Sequence, residues 1–321
     1  DLITGAATVN VTGDQNLTIG STGVLLDGAT KVDANTFTGN LSVVLDSAGT
    51  AKDVSVTGGK GNDTANFSAG FEAGDSFTGG DGTDELSLTN AIAIGTPGGT
   101  LSGVEHLSIS DAGTGTIDMD NFSGLTKVIY DAGIVANGTA TVDDAVTGLE
   151  VELDVANAVA TDASLVVDLK TDGTSDALTI TLDDIGAGEG LALLSAEDAE
   201  TLNISADDDT NDGTGTLTIA ALTATDATAI NLSGDAALTI TNTNNPATPV
   251  LATLDASKMT DALNISGTNF AAGGATVTLG SGDDTFNVAT MSGADTFTLG
   301  GGKDTVVYTA VAQSSGTKVD T

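Results

Sequence analysis

Three aspartates near the C-terminal end carry the clearest chemical pattern in the sequence. Asp284, Asp295 and Asp304 recur within Leu279–Tyr308, LGSGDDTFNVATMSGADTFTLGGGKDTVVY. A glycine stands two residues before each, at Gly282, Gly293 and Gly302, and an apolar residue two after, at Phe286, Phe297 and Val306. Glycine reaches left-handed dihedrals without a Cβ penalty, so the chain can turn tightly and leave carbonyl oxygens free to face a cation. Aspartate adds a hard anionic oxygen, and the apolar residue reads as the inward side chain of a short strand. Calcium is the cation that six to eight such oxygens suit.

The pattern occurs twice. Gly58–Leu88, GGKGNDTANFSAGFEAGDSFTGGDGTDELSL, places Asp63, Asp75 and Asp84 in the same roles. The last two aspartates are nine residues apart in both blocks, and the outer pair 21 apart in the first and 20 in the second. That spacing puts the outer aspartates on the same side of adjacent coils. Asp63, Asp84, Asp284 and Asp304 are therefore the leading metal-ligand candidates, and Asp75 and Asp295 carry only part of the motif. Backbone carbonyls of Gly59, Gly61, Gly80, Gly82, Gly282 and Gly302 are expected to complete the sites. The competing reading is ordinary Gly/Asp turn chemistry.

Other polar residues invite simpler readings. Asp33, Asp118 and Asp255 share one position in three related stretches, VDANTF, IDMDNF and LDASKM, where a side-chain cap on a local turn accounts for them. Asp14 and Asp235 follow glycine between strands and read as turn residues. Asp207, Asp209 and Asp212 fit a solvated acidic loop, lacking the register of an EF-hand. His106 is the only histidine, and no nucleophile is matched to it, so a Ser-His-Asp site is not expected.

Charge narrows the functional classes. The formal net charge is −37, from 45 acidic residues against eight lysines, with no arginine. Such a surface repels nucleic acid and anionic lipid, and repels copies of itself until a cation screens it. Acidic polysaccharides usually need Arg or Lys to hold them, which counts against a β-helix carbohydrase. Cysteine is absent, so disulfides and zinc–thiolate sites are excluded. No apolar run approaches the ~18 residues of a membrane span. The start at Asp1 without Met reads as a fragment or a mature product.

Self-similarity decides the architecture. VNVTGDQNLTI (Val9–Ile19) matches INLSGDAALTI (Ile230–Ile240), VDANTFTGNLSV (Val32–Val43) matches LDASKMTDALNI (Leu254–Ile265), and the two aspartate blocks follow in the same order. About 80 residues thus recur at an offset of about 221. Short period-two pieces separated by Gly, Asp, Asn and Thr read as strands throughout: Leu178–Leu182, Leu202–Ser205, Leu217–Ile219, Ile230–Ser233, Leu238–Thr241, Leu263–Ser266 and Val277–Leu279. Leu191–Glu200 alone suggests a helical turn, and residues 89–103 a loop. The expectation is an all-β, right-handed parallel β-solenoid, or β-helix, with calcium-binding β-roll segments. It divides into residues 1–103, closing with the block at 58–88 and its loop, and residues 104–321, closing with the block at 279–308.

The nonapeptides GGKGND, GGDGTD and GSGDDTF, with LDASKM and AETLNIS (Ala199–Ser205), resemble bacterial RTX-type surface-layer proteins exported by type I secretion. Leu279 and Leu299 depart from the motif by replacing its first glycine. The resemblance implies a non-enzymatic, extracellular subunit at the bacterial cell surface. It would bind several Ca2+ ions and self-assemble into a lattice through calcium-bridged contacts. It would reach cell-surface polysaccharide through another domain. The alternatives are a stalk segment of an RTX adhesin, which uses the same scaffold, and, behind it, a β-helix carbohydrate-active enzyme using paired carboxylates on neutral sugars.

Overall fold

Leu178, Ile180 and Leu182 alternate with Thr179 and Thr181, and the strand Ala177–Asp183 buries the first set completely. Period-two alternation of this kind recurs in the described strands, because successive side chains on a strand point to opposite faces. The computed structural model describes residues 8–20, 29–45, 53–67, 70–154, 162–183, 185–208, 215–243, 250–290, 294–308 and 318–320. They fall into two compact units, Asp1–Ala112 with Ile117–Asp131, and Gly113–Thr116 with Ala132–Thr321.

The first unit stacks two parallel ladders. One runs through Thr8–Asn10, Lys31–Asp33, Ser55–Thr57, Ser76–Thr78 and Thr100–Ser102. The other runs through Leu17–Ile19, Leu41–Val44, Thr64–Asn66, Glu85–Leu88, His106–Ile109 and Lys127–Tyr130. Each of the first five coils gives one strand to each ladder, the sixth adds Lys127–Tyr130 to the second, and apolar residues meet those of the next coil in register. Leu86, Leu107 and Val128 form one such buried column.

Three ladders build the second unit. The longest runs through Glu150–Asp154, Ala177–Asp183, Thr201–Ala206, Ala229–Gly234, Thr253–Met259, Thr276–Thr278, Thr296–Thr298 and Lys318–Asp320. A second comprises Thr139–Ala145, Ser164–Leu169, Leu193–Ser195 and Leu222–Thr223. The third comprises Ala187–Leu191, Thr216–Ile219, Ala237–Ile240, Leu263–Asn269, Thr285–Thr290 and Thr305–Tyr308. Every one of these pairings is parallel, so each unit is a parallel β-solenoid, and an antiparallel sandwich is excluded. Leu178, Leu202, Ile230, Leu254, Val277 and Phe297 form a continuous buried column. No single coil could bury such a column; stacking does.

The internal repeat survives as structure. Eight strands from Thr8–Asn10 to Glu85–Leu88 have counterparts, in the same order, from Ala229–Gly234 to Thr305–Tyr308. The sequence misleads in two places. Leu191 and Leu194 are buried three residues apart, but they belong to separate strands, Ala187–Leu191 and Leu193–Ser195. The corner at Ala192 resets the alternation and imitates helical spacing. The expected loop at 89–103 contains a short helix, Asn90–Ala93, and the strand Thr100–Ser102.

Candidate metal centre

The turns Gly58–Asp63 and Gly79–Asp84 lead into strands on consecutive coils, so turn stacks on turn. Their glycines are there for closeness. A Cβ on Gly82, whose φ is +120°, would stand 2.3 Å from the carbonyl oxygen of Gly61. One on Gly302, with φ +98°, would stand 2.2 Å from that of Gly282. Gly59, Gly61, Gly80 and Gly282 meet the preceding coil's carbonyls just as tightly. These carbonyls also serve the stack as acceptors: Gly59 O takes the amide of Asp81 at 3.0 Å, and Gly280 O takes that of Gly301 at 2.9 Å.

The aspartates form ladders of their own. Asp63 Oδ1 accepts the amide of Leu41 at 2.7 Å, and Asp84 Oδ1 accepts that of Asp63, also at 2.7 Å. Glu105 Oε2 continues the series from Asp84 N at 2.9 Å. In the second unit Asp284 Oδ1 accepts from Leu263 at 2.9 Å, and Asp304 Oδ1 from Asp284 at 3.1 Å. Each carboxylate thus reaches back one coil and takes an amide that the strand ladder leaves unpaired. Asp75 and Asp295 do the same for Val54 and Ala275, at 2.8 and 2.9 Å. These two are also buried, so the incomplete motif around them does not prevent the same inter-coil acceptor role.

The second carboxylate oxygen distinguishes the sites. Asp63 Oδ2 accepts from Gly59 at 2.5 Å, Asp75 Oδ2 from Glu72 at 2.8 Å, and Asp284 Oδ2 from Gly280 at 3.2 Å. Asp84 Oδ2 has no donor, although Asp84 is fully buried. Burial lifts the carboxyl of Asp84 from 3.8 to about 6, opposed by the amide of Asp63 and assisted by the charges of Asp63, Glu105 and Asp81. Burial also raises Asp63 and Asp284, and their backbone donors hold them partly down.

This donor set bears directly on calcium. At Asp84 an orphaned anionic oxygen sits among further carboxylates, an arrangement that fits a hard divalent cation. At Asp63, Asp75 and Asp284 both oxygens already hold N–H donors, so a cation there would have to share a lone pair with an amide.

Several residues lie outside these ladders. Asp33, Asp118 and Asp255 each accept the amide two residues on, from Asn35 at 3.4 Å, Asp120 at 2.9 Å and Ser257 at 2.9 Å. All three are the local turn caps that their shared position indicates. His106 is half-buried in a row between Glu85 and Lys127. Asp207 accepts from Ser205 Oγ at 2.7 Å, and Asp209 and Asp212 lie outside the described residues. Sequence reasoning missed Glu105, Glu200 and Asp235 as inter-coil acceptors; the latter two take the amides of Asp176 and Asp208, at 2.7 and 2.8 Å. The 21-residue step from Asp84 to Glu105 repeats that from Asp63 to Asp84 and is the signal that could have found the first.

No protein-family model matches the chain, and no curated protein matches it.

Proposed function

We propose that this chain is a structural subunit of an extracellular bacterial surface layer, a calcium-stiffened solenoid without enzymatic activity. The observation that carries the calcium part is the orphaned Asp84 Oδ2, buried beside Asp63, Asp81 and Glu105. Calcium at that oxygen would neutralise the repulsion and tie consecutive turns together; the same ion class is proposed at Asp304 and, by lone-pair sharing, at Asp63, Asp75, Asp284 and Asp295. A parallel solenoid suits a structural or adhesin-like repeat protein, because stacked coils extend one core as successive similar spacers. No described helix is long and apolar enough to cross a membrane.

Assembly is the finer part of the reading. With a net charge of −37, copies repel one another unless a divalent ion bridges carboxylates from two chains. Repeating, non-closing contacts of that kind extend indefinitely. Electron microscopy of the full-length protein across a calcium titration tests the proposal. Ordered sheets should form as calcium rises from chelator and should not form in sodium at matched ionic strength. A protein that stays monomeric to about 10 mM calcium, above the range of extracellular sites, is an adhesin stalk segment instead.

A further inference from the structure

We propose that the second unit carries a binding groove for a neutral saccharide on the outer face of its longest ladder. The groove is lined by Asn203, Asn231, Leu232, Ser233, Asp255 and Lys258. It exists because the strand Thr253–Met259 bulges. Asn231 is in register with Asp255 and Ser233 with Lys258, which sets the single residue Leu232 opposite Ala256 and Ser257. Bulges bend a strand and re-aim its side chains. Here the bulge falls between Asp255 and Lys258, and both line the groove together with the amides of Asn203 and Asn231 and the hydroxyl of Ser233.

These polar groups are only partly used. Asn231 Nδ2 donates to Asn203 Oδ1 at 2.8 Å, and Ser233 Oγ to Ser205 Oγ at 3.2 Å. That leaves the amide oxygen of Asn231 without a donor among the described residues. Lys258 has no carboxylate within 4.0 Å among the described residues, in a chain with 45 acids. The first copy of the repeat differs. There Lys31 Nζ pairs with Asp33 at 2.8 Å, and Thr36 stands in the place of Lys258. The groove's unpaired lysine thus has no counterpart in the first copy.

The chemistry selects the ligand class. An ammonium donor beside an amide oxygen, with the Asp255 carboxylate next to them partly engaged by Ser257, matches vicinal hydroxyls, each of which both donates and accepts. The chain's net charge disfavours anionic sugars, and the polar lining disfavours apolar ligands. With no aromatic platform among the lining residues, affinity for one sugar unit should be roughly millimolar.

The test follows the side-chain amide signals of Asn203 and Asn231 by NMR in the full chain. The probes are neutral tetrasaccharides of glucose, galactose, mannose or N-acetylglucosamine, with a uronic-acid tetrasaccharide as the charged comparison. At least one neutral probe should shift both amides. Lys258→Ala and Asn231→Ala should each weaken that probe about tenfold, the loss expected for one good hydrogen bond, with unchanged circular dichroism. The proposal is overturned if no neutral probe moves these signals up to roughly 50 mM, far above the millimolar range. It is equally overturned if both variants bind like the parent, or if the uronic probe binds best. None of these outcomes depends on lattice formation or on calcium.

Discussion

The backbone amide of Asp63 is held at 2.7 Å by a carboxylate oxygen of Asp84, a residue one full coil further along the chain. Asp63 in turn holds the amide of Leu41, and Glu105 holds that of Asp84. One column of side chains therefore fastens four coils where the backbone ladder is interrupted by turns. The fastening concentrates negative charge, because acceptors of the same sign must stand a coil apart.

That charge gives the metal-free protein a pH dependence whose sign is fixed. Asp84 has a folded pKa of about 6, raised from 3.8, so the fold binds its proton more tightly than the unfolded chain does. Its contribution to stability is fully present below about pH 4 and is lost as pH rises through 6, by on the order of 3 kcal/mol for this one group. Asp63 and Asp284 slope the same way. In chelator, urea midpoints should decline across this window, and Asp84→Asn should flatten the decline. An identical slope in the variant would contradict the assignment.

Asp284 separates a structural role from a metal role. Asp284→Ala strands the buried amides of Leu263 and Gly280 and should cost about 2–4 kcal/mol even in chelator. Asp284→Asn keeps one acceptor but turns an amide NH2 toward the other N–H, so it should cost less than the alanine, about 1–3 kcal/mol. If the residue also ligates calcium, both variants should bind fewer ions in equilibrium dialysis, and Asp33→Ala, at a turn cap, should bind the full number.

Glycine positions differ in a way that denaturation can read. Gly82→Ala places a methyl 2.3 Å from Gly61 O at a φ of +120°, and should lose several kcal/mol, combining a clash with left-handed strain. Gly148→Ala has a φ of +86° and nothing within 4 Å, so only the strain applies, about 1–2 kcal/mol. Equal losses at the two sites would mean that the turns are not stacked as described.

Calcium itself should raise the melting temperature. Binding to the folded state alone stabilises by about 2.7 kcal/mol at a hundredfold excess over Kd, for each independent site. Differential scanning calorimetry with chelator and with millimolar calcium should show a clear upward shift that Asp84→Asn reduces. An unchanged melting point would remove calcium from the account.

Much of this fold is legible in the sequence, and for a simple reason. Strand alternation at Leu178–Leu182 and the 221-residue offset are local or self-referential signals, which one chain suffices to show. What the carboxylates hold is not local. Asp84 and its donor Asp63 are 21 residues apart, and only the coil length says that they meet. Asp75 shows the limit from the other side. Its motif is incomplete, yet coil register buries it and supplies Val54 N as a partner. Corners obscure the rest: at Ala192 a change of ladder produces spacing that a strand template rejects.

The backward reach of each aspartate makes the coil a unit of length. Asp63 serves Leu41 as Asp84 serves Asp63, so excising a coil of about 21 residues would bring an equivalent acceptor to the same amide. Losing one residue would instead misalign the acceptor, the glycine and the inward side chain together. Such a chain can be lengthened or shortened in evolution, and by design, in whole rungs.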